Sequence, residues 1–432
     1  MKLNIKNFAK IKEADIVIDG ITVIAGENNT GKSTIGKVLF SLFNALSDID
    51  EKISDERLKE IEVTNQRIIW SYVSSVGVSR SSAWRAAINC AKSIKDQIQN
   101  RWNEKEIDLQ EIIRQILARL NGELKIPTDF DWTELIGEVY ENTKEVLNLS
   151  EDVIIREFIS RYFNQVFHSQ IQSVSDKINS DASLILDIKG KKEWIQFEKN
   201  YCKKFMGELD IVHKAIYIDN PFVIDELSKF NDLDVMNETL KNLLYRSYNE
   251  SNMDGIIESV RVKEKLADIF EMLQQVVDGE ILLDQNEEFY LKGNNDEIIS
   301  VHNLSTGMKS FIILKMLLEK GCLKNKDVVV LDEPEIHLHP QWQIAYAELI
   351  VLLQKQFDLS VVVTTHSPYF VDAINLFSCK YETDSKVNFY LSILEEEAAV
   401  MENVTDNIDL IYKKMASPIQ MLDTLRYELN NH

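Results

Sequence analysis

The chain has 432 residues, 45% of them hydrophobic and 27% charged, with a formal net charge of −22. That balance is globular, with length for two to three domain equivalents, and no run approaches the roughly 18 consecutive apolar residues of a membrane span. A uniformly acidic surface repels phosphate backbones, which disfavours broad non-specific nucleic-acid binding. Cys90, Cys202, Cys322 and Cys379 form no C-x-x-C pair, so neither a zinc knuckle nor a disulfide framework is expected. Buried free thiols in a reducing cytoplasm fit better. Met1 to Lys10 lacks the apolar core of a secretory signal, which also points to the cytoplasm.

In chain order, Lys2–Ile5, Ala14–Ile18 and Ile21–Ala25 have the alternation or β-branched content of short strands. The third runs into Gly26-Glu27-Asn28-Asn29-Thr30-Gly31-Lys32-Ser33, which fits the phosphate-cradling pattern G-x-x-x-x-G-K-[ST]. Gly26 and Gly31 let backbone approach phosphate oxygens, with the amides of Asn28, Asn29 and Thr30 turned inward. Lys32 supplies a point charge and Ser33 a hydroxyl for Mg²⁺. Thr34 and the apolar positions from Ile35 to Phe43 start a helix whose N-terminus adds its dipole to the site. Residues 1–45 carry six Lys and four acidic residues, a balance of +2, leaving −24 for the rest.

Residues 46–210 are expected to form a mainly helical insertion. Apolar stripes recur over Glu106–Leu120 and Asp152–Phe167, and Asn121-Gly122 and Ile126–Asp129 are breakers. No heptad persists, so a compact bundle is expected and not coiled-coil arms. Ser183–Ile188 and Glu193–Phe197 suggest a hairpin through Gly190. Lys189-Gly190-Lys191-Lys192 and Lys203-Lys204 are candidates for a local basic groove, although solvated loop tips are the commoner use of such runs. Ala215–Ile218 forms an apolar strand ending at Asp219-Asn220-Pro221. Residues 234–278 suggest two helices, and Glu280–Leu283, Glu288–Leu291 and Glu297–Val301 three small strands, with a turn at 293–296.

Asn303 to Ser310 leads into an apolar segment, Phe311–Leu318, so Ser305 and Gly307 stand at a helix N-terminus with free amides. Val328–Leu331 is a buried-type strand ending in Asp332 and Glu333. Asp332 suits Mg²⁺, and Glu333 is positioned to orient and deprotonate an attacking water. Glu335, His337 and His339 invite a metal reading, but no further ligand of suitable spacing is visible; a loop before a helix opened by Pro340 is the alternative. Val361–Thr365 is a second buried-type strand, ending in His366. Tyr381–Leu410 holds eight acidic residues and one Lys, the composition of a solvated face or of a docking surface for a basic partner.

The order of phosphate loop, Leu304-Ser305-Thr306-Gly307-Met308, Asp332-Glu333-Pro334 and His366 resembles the ABC-type ATPase head. In that resemblance the Leu304 segment is a variant signature, departing at Thr306 and Met308. Asp332 matches the Mg²⁺ ligand, Glu333 the catalytic carboxylate, and His366 the histidine that meets the γ-phosphate. The segments Glu335–Pro340 and Thr365–Pro368 resemble the soluble branch near RecF, Rad50 and the OLD-type nucleases, with His339 where many relatives have Asp. The resemblance covers roughly residues 1–45 and 280–380. It implies an α/β P-loop head, a mixed or parallel sheet flanked by helices, divided into 1–45 and 211–432 around the insertion.

It further implies that two copies enclose two ATP molecules with Mg²⁺, the signature of one completing the site of the other. No TOPRIM-type acidic cluster follows residue 380, and there is no H-N-H motif. The expectation is therefore a regulatory ATPase that dimerises or forms a higher homo-oligomer and controls a separately encoded effector such as a nuclease. This resembles the ATPase subunits of Septu-like and retron-associated antiphage systems. The alternatives are a RecF-like ATPase that binds DNA directly, and a nucleotide-gated scaffold with little turnover. No membrane partner is expected.

Overall fold

The computed structural model describes the whole chain except residues 103–107, 125, 127–129, 173–180, 209, 227–233, 246–265, 284–287, 295–296 and 431–432. The expected turn at 293–296 and much of the helix pair expected over 234–278 lie partly outside the described residues. Chain contacts divide the protein into two units, Met1–Ser47 with Arg156–His432, and Asp48–Ile155.

The first unit is built on an eleven-stranded sheet. Its strands are β1 (Lys2–Phe8), β2 (Ile11–Val17), β3 (Ile21–Gly26), β4 (Ala182–Ile188), β5 (Lys191–Glu198), β6 (Tyr201–Met206), β7 (Ala215–Ile218), β11 (Val328–Asp332), β12 (Ser360–Thr365), β13 (Val387–Glu395) and β14 (Ala398–Asn403). The spatial order is β6-β5-β4-β1-β2-β14-β13-β3-β12-β11-β7. From β13 to β7 all neighbours are parallel, whereas β6-β5-β4-β1-β2 is an antiparallel meander. The strands β8 (Glu280–Leu283), β9 (Phe289–Lys292) and β10 (Ile298–Ser300) form a separate antiparallel sheet.

The parallel half is covered on both faces, which is why β3, β11 and β12 are almost continuously apolar. One set of alternating residues (Val23, Ala25, Val329, Leu331, Val361, Val363) joins a core with α9 (Thr306–Glu319), α10 (Pro340–Phe357) and α11 (Pro368–Lys380). On the other face lies α1 (Lys32–Leu46). Gly36 permits this close packing: a Cβ there would collide with Cγ1 of Val330. The remaining helices of this unit are α6 (Glu151–Phe167, shared with the unit boundary), α7 (Val235–Tyr245), α8 (Ala267–Val276) and α12 (Asp409–Asn430).

The second unit holds α2 (Ile49–Ser75), α3 (Arg80–Asn100), α4 (Leu109–Leu124) and α5 (Trp132–Asn148) around one core that includes Ile61, Ile69, Ile94, Ile113, Leu117 and Val139. Its buried polar pair is satisfied internally, with Asn65 Nδ2 donating to Thr143 Oγ1 at 2.9 Å. Helix α4 continues through Asn121-Gly122, expected to be a breaker; one glycine costs only about 1 kcal/mol inside a helix, less than the packing of this stripe contributes.

The sequence-based insertion over 46–210 and this unit share their start but not their end. Residues 156–210 supply the end of α6 and strands β4–β6, which pair onto β1 and so extend the large sheet. The segment Tyr381–Leu410 also departs from expectation. Two of its stretches are β13, wedged between β3 and β14, and β14, while its acidic residues cluster at Glu395–Glu397 between them. Val387, Phe389 and Leu391 alternate with period two, the signal that the acidic composition masked. Of the four free cysteines, Cys90, Cys202 and Cys322 are buried and Cys379 is exposed.

Candidate nucleotide-binding site

Three neighbouring parallel strands end at one edge of the sheet. The pairing Thr365↔Ala25 sets β12 beside β3, and Asp332↔Thr364 sets β11 beside β12, so Gly26, Asp332 and Thr365 finish level with one another. Beyond β3 the chain turns through residues 27–31. Asn29 (φ 62°) and Gly31 (φ 81°) are left-handed, and Gly31 directly precedes α1. Such residues swing neighbouring amides to one side, and the free N–H groups of α1 add a partial positive charge, making an anion cradle. Thr30 donates to the Glu27 carbonyl at 2.8 Å, and Ser392 on β13 donates to the Thr30 carbonyl at 2.6 Å, fixing the turn. Asn28 and Asn29 are exposed at its rim, and the Thr34 N–H closes the first helical bond, to Gly31 O, at 3.2 Å.

The Lys32 side chain is only 3% exposed. Its ammonium donates to Glu27 O at 2.8 Å, lies 3.0 Å from His366 Nε2 and 3.7 Å from Glu333 Oε1. Burial pushes this ammonium below the ordinary lysine range, against the pull of Glu333, Asp332 and Glu335. Ser33 donates to Asp332 Oδ1 at 3.0 Å. The same oxygen accepts the Thr364 hydroxyl, and Oδ2 accepts the Tyr217 hydroxyl at 2.6 Å. Burial raises the Tyr217 phenol well above its ordinary value, so it remains a donor.

Glu333 sits in the left-handed region at φ 51°. For a non-glycine residue this costs about 1–2 kcal/mol. Its N–H is shared between Thr364 O at 3.0 Å and Thr364 Oγ1 at 3.1 Å, which offsets part of that cost. The carboxylate meets His366 Nε2, and this hydrogen bond holds Glu333 below the usual carboxylate range. Glu335, two residues on, is buried and its carboxyl is pushed up by desolvation.

The fold thus joins Lys32, Ser33, Asp332, Glu333 and His366 by direct contacts, although the sequence separates the first two from the others by about 300 residues. Ser305 and Gly307 are placed elsewhere. Ser305 caps α9 by accepting the Met308 N–H at 3.4 Å, and Gly307 packs against His337 O and Trp342. Among the described residues neither bonds to the Lys32 cluster. His337 lies edge-on to Phe222 at 5.7 Å, and His339 caps α10 by accepting the Gln341 N–H at 3.4 Å, as the loop reading of this segment expects. Asn220 caps the 3-10 turn Pro221–Asp225, while Asp219, exposed just past the end of β7, has its carboxyl raised by partial desolvation and by the charges of Asp234 and Asp332. Tyr217, Thr364 and Ser392 were missed from the sequence because tyrosine, threonine and serine at strand positions carry no spacing signal of their own.

The donor set fits ATP with Mg²⁺. The ion takes hard oxygen ligands and completes its shell with phosphate and water, so one hydroxyl and one carboxylate 3.0 Å apart are a sufficient protein contribution. Lys32, the loop amides and the α1 N-terminus supply the complementary positive field.

Residues 1–371 match the sequence profile of the AAA ATPase domain. Among curated proteins, the chain is 28% identical over 170 residues to the Septu protein PtuA of Bacillus thuringiensis, covering 36% of this chain and 41% of that protein. It is 26% identical over 253 residues to the retron Ec83 probable ATPase of Escherichia coli (49% and 46% covered). To the retron Vc95 probable ATPase of Vibrio cholerae it is 20% identical over 406 residues (89% and 73%). The chain therefore spans less than half the length of the first two relatives. Among solved structures, the SMC head domain from Thermotoga maritima matches with a TM-score of 0.38 at 12% identity, covering 93% of this chain and 98% of that one. No described helix is long and apolar enough to cross a membrane. The chain belongs to the AAA ATPase domain family.

Proposed function

We propose that two copies of this chain close around ATP and Mg²⁺, and that this cycle controls a separately encoded effector, a nuclease, in prokaryotic antiphage defence. The observation that carries the site is the convergence of Lys32, Ser33, Asp332, Glu333 and His366 at the ends of three parallel strands. Gly26, Asn28, Asn29, Thr30, Gly31 and Thr34 form the phosphate cradle around Lys32. Ser33 and Asp332 would hold Mg²⁺, which would supply positive charge against the phosphates. Glu333 accepts the proton of the attacking water, and His366 contacts the γ-phosphate side of the site and orients Glu333.

Ser305 and Gly307 stand at the N-terminus of α9, where backbone amides face an anion favourably, which supports their service to the nucleotide of a second copy. The similarity to the Septu protein PtuA and to two retron ATPases supports the defence context.

The test is the native mass of the Glu333→Gln protein with and without Mg-ATP, together with co-purification from its native cell. An ATP-dependent doubling of mass, or a larger oligomer that carries a second protein, is expected. A monomer indifferent to ATP that brings down nothing would overturn the proposal. Lys32→Ala, which removes the phosphate-facing charge, is the control that abolishes any nucleotide response.

A further inference from the structure

Behind the Lys32 cluster lies a closed ring of hydrogen bonds that the proposed chemistry does not use. Glu335 Oε1 accepts the Thr365 hydroxyl at 2.6 Å and the backbone N–H of His366 at 2.7 Å. Thr365 Oγ1 accepts the Ser367 N–H at 3.0 Å. The Ser367 hydroxyl donates to Gln343 Oε1 at 2.7 Å, and Gln343 Nε2 returns to the carbonyls of Leu338 at 3.1 Å and Glu335 at 3.4 Å. The ring ties the loop after β11 to the turn after β12 and to the first part of α10. Glu335 and Thr365 are buried, so these bonds face little competition from water. Glu335 Oε2 is buried with no partner among the described protein groups.

We infer that Glu335 is a positioning residue for ATP hydrolysis, setting His366 against Glu333 through a ring completed by Thr365, Ser367 and Gln343. The inference rests on the roles proposed for Glu333 and His366. The geometry is specific. The N–H of His366, which lies between the ring members Thr365 and Ser367, is held by the same Glu335 oxygen that holds the Thr365 hydroxyl. The His366 imidazole in turn contacts both Lys32 and Glu333. A turn released from Glu335 frees that imidazole, and small misplacements of reacting groups cost large factors in rate.

The ring also joins His366 to the backbone of the loop carrying Glu333, because the Leu338 carbonyl is one of its members. Burial favours the neutral carboxyl at Glu335, and the neutral amide of Gln keeps an acceptor oxygen in the same place. Conservative replacement is therefore expected to preserve the ring, while truncation removes it.

Two readouts on the full chain test this. The first is amide hydrogen exchange of the peptide spanning residues 361–370. Glu335→Ala is expected to speed exchange at His366, and Glu335→Gln is not. The second is steady-state ATP hydrolysis with separate kcat and KM. Glu335→Ala is expected to lower kcat by about 10- to 100-fold with KM changed less than about threefold. Glu335→Gln is expected to restore most of the rate. Ser367→Ala and Gln343→Leu are expected to lower kcat by smaller factors, and their double variant by no more than the worse single one, since each opens the same ring.

Unchanged exchange in Glu335→Ala, an unchanged kcat, or a loss that Gln fails to restore would each overturn the inference. If Glu333→Gln and His366→Ala both hydrolyse ATP at the normal rate, the underlying site assignment fails instead. That result is distinguishable because it involves no change at Glu335.

Discussion

At the residue scale the site balances three charges in a small space. Lys32 is buried, Glu333 is held ionised by His366, and Asp332 is ringed by three hydroxyls. Glu333→Gln keeps shape and removes basicity, so turnover is expected to fall by about 10²–10⁴ while ATP binding is kept. Single-turnover hydrolysis and equilibrium nucleotide binding on the same protein check this, and a normal rate would refute the role of Glu333. Because Glu333 lies below the ordinary carboxylate range, the acid limb of kcat/KM is not expected at the usual glutamate value but below it.

Glu335 behaves oppositely. Its folded carboxyl binds a proton more tightly than the ordinary value of 4.5, so the stability it contributes is full below that value and is lost as pH rises through the raised one. Glu335→Gln removes this loss. Thermal melts across pH should find the variant gaining on the parent as pH rises from about 4 toward neutrality. A gap that is constant with pH would contradict the buried-acid account.

At the scale of elements, the site depends on how closely α1 lies on the sheet. Gly36 faces Val330 on β11, and Tyr217 on β7 stands nearby, edge-on to Phe40 of α1 at 6.1 Å between ring centroids. Gly36→Val has no space and must lift α1 from β11, separating Ser33 on the helix from Asp332 on the strand. A destabilisation of about 1–3 kcal/mol is expected in chemical denaturation. Nucleotide affinity should weaken too, because the Ser33–Asp332 distance is set by this packing. An unchanged midpoint and affinity would mean that α1 is not held in the way described. Gly307 plays the corresponding part for α9, where a Cβ would approach His337 O and the Trp342 ring to 3.0 Å.

At the scale of the whole molecule, the ATPase proposal requires a second copy. Ser305→Arg places a large cation at the N-terminus of α9, on a residue whose only described role inside the chain is to cap that helix. In the Glu333→Gln background it is expected to abolish the ATP-dependent doubling of mass. It should leave the folded monomer near its parent stability, at a cost of about 1 kcal/mol for the lost cap. Analytical ultracentrifugation with and without Mg-ATP decides, and a dimer that persists in the Ser305→Arg protein would place the contact elsewhere. The net charge of −22 makes such self-association salt-dependent, with repulsion eased as ionic strength rises.

The sequence by itself determined the phosphate loop, the Asp332-Glu333 strand and the His366 strand, because each combines a local run of β-branched residues with a polar residue at its end. It also determined the helical character of α4 and α6, through their apolar stripes. Only the tertiary structure decided that these three strand ends meet, since parallel pairing joins segments hundreds of residues apart and leaves no local trace. Two other causes hid β13 and β6. The first lies beside an acidic turn, and the second is an edge strand whose side chains are mostly exposed and so lack a clear alternation. Tyr217, Thr364, Ser392 and the Glu335 ring became visible only as distances, because a hydroxyl or amide acquires its role from what the fold places opposite it.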